Sequence, residues 1–222
     1  MIHIVKTTPP KELSDYNQSY DQQKSYDNFR DKNSIRKALL EEQGYICAYC
    51  MCAIGYDPTS LEKDVRIEHY RCQDEFNKLQ LDYNNMFAVC TCSKGLPEKE
   101  QHCDVSKGNK YLHFDPKNHE HIKTIRYSEG GILSTDQQYA DDIENVLGLN
   151  NSYLPINRRG VLTTQIQLAN AKIREGYDKN KVFHKLFDLF SQKDKYGRYR
   201  PYCGIVTAYC NKFSKEVPRV NT

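Results

Sequence analysis

Apolar positions along the chain change their spacing four times, and each change marks a segment. The first 33 residues alternate turn-forming and polar residues, beginning with Thr7-Thr8-Pro9-Pro10, and carry no strong period. They read as an extended arm with a short strand at Ile2 to Val5 and one polar helix. Ile35, Ala38 and Leu39 then recur at i, i+3 and i+4, with Ser34 in the N-cap position and Gly44 where a C-terminal cap belongs, which predicts a short helix. From Tyr45 to Asn109 the pattern breaks into short apolar runs, Tyr45 to Ile54, Val65 to Tyr70 and Asn85 to Val89, between charged or turn-rich stretches. Ile122 to Tyr127 leads into Ser128-Glu129-Gly130-Gly131 and on to Ile132 and Leu133, a hairpin signature. Two helical stripes follow: Leu162, Ile166, Ala169 and Ile173, then Phe183, Leu186, Phe187 and Phe190, both expected in the core.

These elements predict an α+β fold in three segments: an N-terminal arm and helix (1–44), a compact cysteine-bearing core (45–110), and a hairpin and helical region (111–222). At 222 residues with 38% hydrophobic and 27% charged residues, the chain can bury a core and lacks the composition of a disordered protein. No apolar run reaches the roughly 18 residues that cross a bilayer, so a cytoplasmic protein without a membrane partner is the expectation. The 32 basic and 29 acidic residues nearly cancel, which leaves any nucleic-acid binding to a local patch. The run Lys193, Lys195, Arg198 and Arg200, interleaved with Tyr196 and Tyr199, is one such patch, although a solvated charge run is its plainer reading.

Cysteine changes the picture more. Seven of the nine cysteines lie between Cys47 and Cys103, and clustered thiols in a reducing compartment read as metal ligands before disulfides. In Cys47-Ala48-Tyr49-Cys50 the two-residue spacer turns both thiolates toward one tetrahedral ion. Cys90 and Cys103 supply a second pair, so Cys47, Cys50, Cys90 and Cys103 are the expected ligands of a structural zinc ion. Cys92 and His102 are rival ligands, Cys90-Thr91-Cys92 having too tight a spacer for both sulfurs to bind one ion comfortably. Cys52, Cys72, Cys203 and Cys210 are expected to be free thiols.

Between the cysteine pairs stands Arg66-Ile67-Glu68-His69-Tyr70, a carboxylate next to a histidine at the end of a predicted strand. Phosphodiester hydrolysis requires a base near neutral pH and a hard divalent cation on the phosphoryl oxygens. His69 has the intrinsic basicity, expected here as an exposed strand-end imidazole, while Glu68 and Asp104 offer oxygen ligands suited to Mg²⁺ or Mn²⁺.

The ordered constellation, CxxC, Glu68-His69, Asn85-Met86-x-x-x-Cys90 and Cys103-Asp104-x-x-Lys107-Gly108-Asn109, resembles the ββα-metal fold of HNH endonucleases. The resemblance implies His69 as general base, Glu68 and Asp104 as ligands of the catalytic Mg²⁺ or Mn²⁺, Asn85 as the asparagine that orients the His69 loop, and Lys107 on substrate phosphate. The chain departs from that family in carrying Glu68 for aspartate, Asp104 for the final histidine or asparagine, and a charged insertion from Ser93 to Gln101. With its flanks, including Leu147-Gly148-Leu149-Asn150, the sequence is similar to the HNH subunits of Septu-type and retron-associated anti-phage systems. That likeness implies an effector nuclease, acting on DNA or alternatively on RNA such as tRNA, that works with an ATPase subunit of the PtuA type. A zinc ribbon that only bridges partners is the non-enzymatic alternative.

Overall fold

The computed structural model describes residues 1–20, 22–57, 59–151 and 153–213. Among them the elements run α1 (Lys11–Gln18), α2 (Lys32–Gln43), α3 (Leu61–Asp64), β1 (Val65–His69), β2 (Met86–Cys90), α4 (Asp104–Lys107), α5 (His119–Lys123), β3 (Ile125–Ser128), β4 (Gly131–Ser134), α6 (Gln137–Asp141), α7 (Leu154–Arg174), α8 (Lys179–Ser191) and α9 (Cys203–Phe213). The fold is α+β, with two small antiparallel sheets, β1-β2 and β3-β4. No helix of the described residues is long and apolar enough to cross a membrane.

Helix α2 starts earlier than Ser34 implies. Asp31 is the cap, its carboxylate accepting from Ser34 N at 3.1 Å, and the helix ends on Gly44 in the left-handed region with φ +66°. That glycine lets the chain turn at once into the segment Tyr45 to Ile54, which folds back on itself through an Ile46–Ala53 bridge.

In the first sheet His69 pairs with Met86, Glu68 with Phe87 and Val65 with Cys90. All five β2 residues are buried, so the strand reads as one continuous apolar run. Helix α2 lies along β2 and is fastened by Gln43, which is buried and donates to the carbonyls of Ile46 (3.0 Å) and Ala88 (2.8 Å) while accepting from Ala88 N (2.8 Å). One side chain thereby satisfies the outer backbone edge of β2.

The hairpin β3-β4 turns on Glu129 (φ +50°) and Gly130 (φ +93°), a two-residue turn whose left-handed pair matches the twist of the strands. The Phe183, Leu186, Phe187 and Phe190 stripe of α8 is buried as its spacing predicts. The preceding stripe is not: on α7 only Leu154, Arg158 and Ala169 are buried, and Leu162, Ile166 and Ile173 are half-covered because the middle of that helix packs on one side only. The N-terminal residues also depart from expectation. Ile2 to Val5 form no strand, and the segment is not a loose arm: Met1, Ile4, Leu13 and Phe29 join the same buried cluster as β2 and α9, with Ile4 N bonded to Pro116 O at 3.0 Å.

Replacing Gln43 with alanine should strand the buried Ala88 N–H and the Ile46 carbonyl, Ala88 O keeping its bond from Ala48 N. Each unpaired group costs about 1–3 kcal/mol. The chemical-denaturation midpoint should fall sharply with the slope unchanged.

Candidate metal centre and active site

Four sulfurs meet where three chain segments cross. Cys47 and Cys50 come from the folded-back segment, Cys90 ends β2 and Cys103 precedes α4; all four are buried, and their Sγ atoms lie within 4.8 Å of one another. The Cys47–Cys103 and Cys50–Cys90 Sγ distances are both 3.7 Å. Four thiolates about 2.3 Å from a tetrahedral ion stand about 3.8 Å apart, so this set can hold a metal ion such as zinc without rearrangement.

The backbone is shaped to bring the sulfurs there. Cys47 N bonds Cys52 O at 2.9 Å and Met51 N bonds Cys47 O at 3.1 Å, closing a knuckle that turns through Met51 at φ +64°. The charged insertion Ser93 to Gln101 is pinched shut by buried Ser93, whose hydroxyl accepts from His102 N and donates to His102 O, each at 3.0 Å. Cys103 itself sits at φ 58°, ψ −136°, a conformation ordinarily left to glycine and costing about 1–3 kcal/mol, held by Cys103 N bonding Leu147 O at 2.7 Å. His102 lies beside the quartet rather than in it: Nδ1 is 3.3 Å from Cys103 Sγ, and Nε2 meets the Tyr153 hydroxyl at 3.2 Å.

The sulfurs share an unusual electrostatic setting. Although burial opposes it, the thiols of Cys103 and Cys50 hold Cys47 well below the usual thiol range, while burial and the neighbouring Cys47 push Cys103 well above it. So crowded a set shares its protons unless a cation replaces them. Close by, Arg158 is 0% exposed and bonds only the carbonyls of Gly130 (3.0 Å) and Leu149 (2.5 Å), with Nε lacking a hydrogen bond. Burial lowers its pKa, opposed by Tyr127 and by the sulfurs of Cys50 and Cys103. Among the described residues no carboxylate pairs with it, which leaves the thiolate cluster as its counter-charge.

A second centre lies one step from the first. Glu68, His69 and Asp104 line a cleft of about 460 Å³ together with Asp27, Arg66, Gln73 and Asn109. Glu68 is nearly enclosed; its Oε1 is 2.7 Å from Lys107 Nζ and 3.4 Å from the Tyr49 hydroxyl, which donates to it. Burial and the adjacent Asp104 carboxylate push Glu68 well above the usual carboxylate range, against the pull of Lys107. Asp104 Oδ2 is buried without a hydrogen bond, although Arg66 Nε approaches to 2.7 Å from the exposed side without donating to it. The cleft thus holds two facing carboxylates, Glu68 ion-paired with Lys107 and Asp104 with Arg66.

His69 is 6% exposed, contrary to the exposed imidazole expected at a strand end, because the Tyr26 ring from the N-terminal segment packs edge-on at 4.5 Å. Its Nε2 meets Gln80 O at 3.0 Å and must carry the proton there, leaving Nδ1 as acceptor of the Gln73 side-chain amide at 3.0 Å. Burial lowers its pKa and so holds the ring in its neutral form. Asn85 ties the loop after His69: Oδ1 accepts from Arg71 N (2.8 Å), and Nδ2 donates to Arg71 O (3.0 Å) and Leu79 O (3.3 Å). It stands outside the cleft, holding the loop that carries Gln73.

Lys107 differs from its expected place on substrate phosphate. It is 1% exposed, and Nζ is taken up by Glu68 and by His69 O at 3.2 Å, because α4 is a single turn pressed against β1. The basic run near the C-terminus is likewise occupied: Lys193 Nζ donates to the carbonyls of Glu41 (2.7 Å) and Glu42 (3.0 Å), and Arg198 packs on the rings of Tyr45 and Tyr56. Sequence reasoning missed Gln73, Gln80 and Tyr26, none of which stands in a motif, and the burial of Arg158, which lies in the Asn157-Arg158 segment of the family resemblance. Compared with family models and with curated proteins, the chain matches none.

Cys47→Ser should cost both bound metal and fold, since binding at such sites contributes about 10–16 kcal/mol, most of it expressed as folding. Arg158→Met should act differently, leaving the metal-free protein at least as stable but weakening metal affinity about 10- to 100-fold. Chelator competition and melting curves on the same samples separate the two outcomes.

Proposed function

We propose that the chain is a metal-dependent nuclease of HNH type, hydrolysing nucleic-acid phosphodiester bonds around a ββα unit made of β1, β2 and α4. One observation carries the reading: Glu68, His69 and Asp104, separated in sequence by up to 36 positions, share one cleft beside the sulfur cluster and distinct from it. A zinc ribbon that merely binds partners has no need of a buried carboxylate pair next to a neutral imidazole.

Glu68 and Asp104 would hold Mg²⁺ or Mn²⁺, which when bound neutralises charge on the phosphoryl and leaving oxygens. His69 Nδ1, once Gln73 swings aside, accepts the proton of the attacking water, while Nε2 keeps its own proton and donates it to Gln80 O throughout. Asn85 keeps the loop still while this happens. Lys107 balances the carboxylates rather than touching substrate. Next to this cleft lies a larger one of about 1080 Å³ that shares Val105, Gly108 and Asn109 with it and carries Lys99 and Lys110, a fitting path for a phosphate backbone. DNA is the first substrate in this reading, with tRNA as the alternative.

Purified protein should cut plasmid DNA, single-stranded DNA or tRNA only with Mg²⁺ or Mn²⁺ present. His69→Gln should lower the rate about 10²- to 10⁴-fold with metal content intact. Asp104→Asn should relieve the repulsion with Glu68 and so melt no lower than wild type, yet lose the rise in melting temperature that added Mg²⁺ gives the parent. Because the His69 pKa is lowered, the acid limb of the rate profile should fall below about pH 6.5. A cleaving His69→Gln protein at wild-type rate would refute the assignment.

The same reading joins the chain to a PtuA-type ATPase subunit. Exposed Leu168, Tyr177 and Leu189 on and between α7 and α8 flank an apolar groove of about 430 Å³ that suits such a contact. Removing the first 30 residues is a poor test, since Ile4, Leu13 and Phe29 are core. Leu168→Glu should instead release the subunit in gel filtration of co-expressed proteins while melting is unchanged.

A further inference from the structure

The quartet leaves two neighbouring thiols unused. Cys52 is buried at the base of the knuckle, brought back beside Cys47 by the Cys47 N to Cys52 O bond. Cys92 lies two residues past the end of β2, at the start of a turn, and it is exposed. The Sγ atoms of Cys52, Cys90 and Cys92 lie within 4.8 Å of one another. Cys90 thus belongs to two sulfur sets, an inner closed one with Cys47, Cys50 and Cys103, and an outer one with Cys52 and Cys92.

The geometry points to a second metal site, formed by Cys52, Cys90 and Cys92, that takes a thiophilic d¹⁰ cation such as Zn²⁺ and shares the Cys90 sulfur with the inner site. A thiolate keeps lone pairs enough to bridge two cations, and the three sulfurs leave a fourth position open toward solvent on the Cys92 side. The tight Cys90-Thr91-Cys92 spacer, awkward for one ion, is natural for two, since each sulfur then has an ion of its own to face. Charge favours the arrangement: two divalent ions on six thiolates carry the same net charge as one ion on four, so the buried Arg158 serves both states. The inner site is complete without the outer ion; the outer site borrows Cys90 and depends on the inner fold.

The test is a metal count on the full chain, purified reduced, loaded with excess Zn²⁺ and freed of unbound ion. Wild type should hold two zinc ions, and Cys92→Ser and Cys52→Ser should each hold one with melting close to wild type. Maleimide should modify Cys92 in the loaded protein only as the second ion is lost. Because Cys52 is buried and its variant can fail to fold, Cys92→Ser at the surface keeps the test decisive. One zinc ion in the wild type, two in Cys92→Ser, or alkylation of Cys92 with both ions retained would each overturn the proposal. Failure of the inner site reads out separately, as zinc retained in Cys47→Ser.

Discussion

Four cysteine sulfurs drawn to one point set the course of everything around them. Cys90 ends β2 and Cys103 begins the turn into α4, so closing the sulfur set fixes both elements against the knuckle of Cys47 and Cys50. The residues of the cleft hang directly from those anchors. Asp104 is the residue after Cys103, and Glu68 lies on the strand registered against β2, opposite Phe87. The two carboxylates come together because their supporting elements are clamped a few ångströms away, not because they attract one another. In a segment with short strands and a one-turn helix, local propensity alone would not hold such positions.

Local rules are broken mainly at this point of the structure. Cys103 adopts a glycine-like conformation, Glu68 and Asp104 face each other under burial, Lys107 is enclosed, and an oxygen of Asp104 goes without a hydrogen bond. Each is unfavourable alone, and all lie within one turn of α4 or its neighbouring strand. Gln43 and Ser93, by contrast, place every side-chain polar atom in a hydrogen bond. Concentrated local cost of this kind belongs to sites whose geometry is imposed from outside.

Much of this was legible in the chain. Spacing of the cysteines marked the four sulfurs; short apolar runs marked β1 and β2; Glu129-Gly130 marked a hairpin; and the phenylalanine stripe marked α8. What escaped was tertiary placement. Tyr26 meets His69 from the N-terminal segment, Gln80 and Gln73 grip the imidazole from an irregular loop, and Arg158 is buried on the carbonyls of Gly130 and Leu149. Contacts of that sort are long-range and polar, so composition sees only solvated residues. The same blindness explains the misplaced arm and the enclosed Lys107: a polar stretch reads as surface until a tertiary partner covers it, and a lysine in a phosphate-binding motif reads as exposed.

Arg158 ties the C-terminal half of the molecule to the cysteine segment. The knuckle, both strands and α4 are complete by residue 107, whereas this arginine lies on α7 and enters the interior without a carboxylate to receive it. Its desolvation is tolerable only where negative charge already waits, and that charge appears when the thiols give up their protons to a cation. Docking of α7 is therefore coupled to the charge carried by the sulfurs of Cys50 and Cys103.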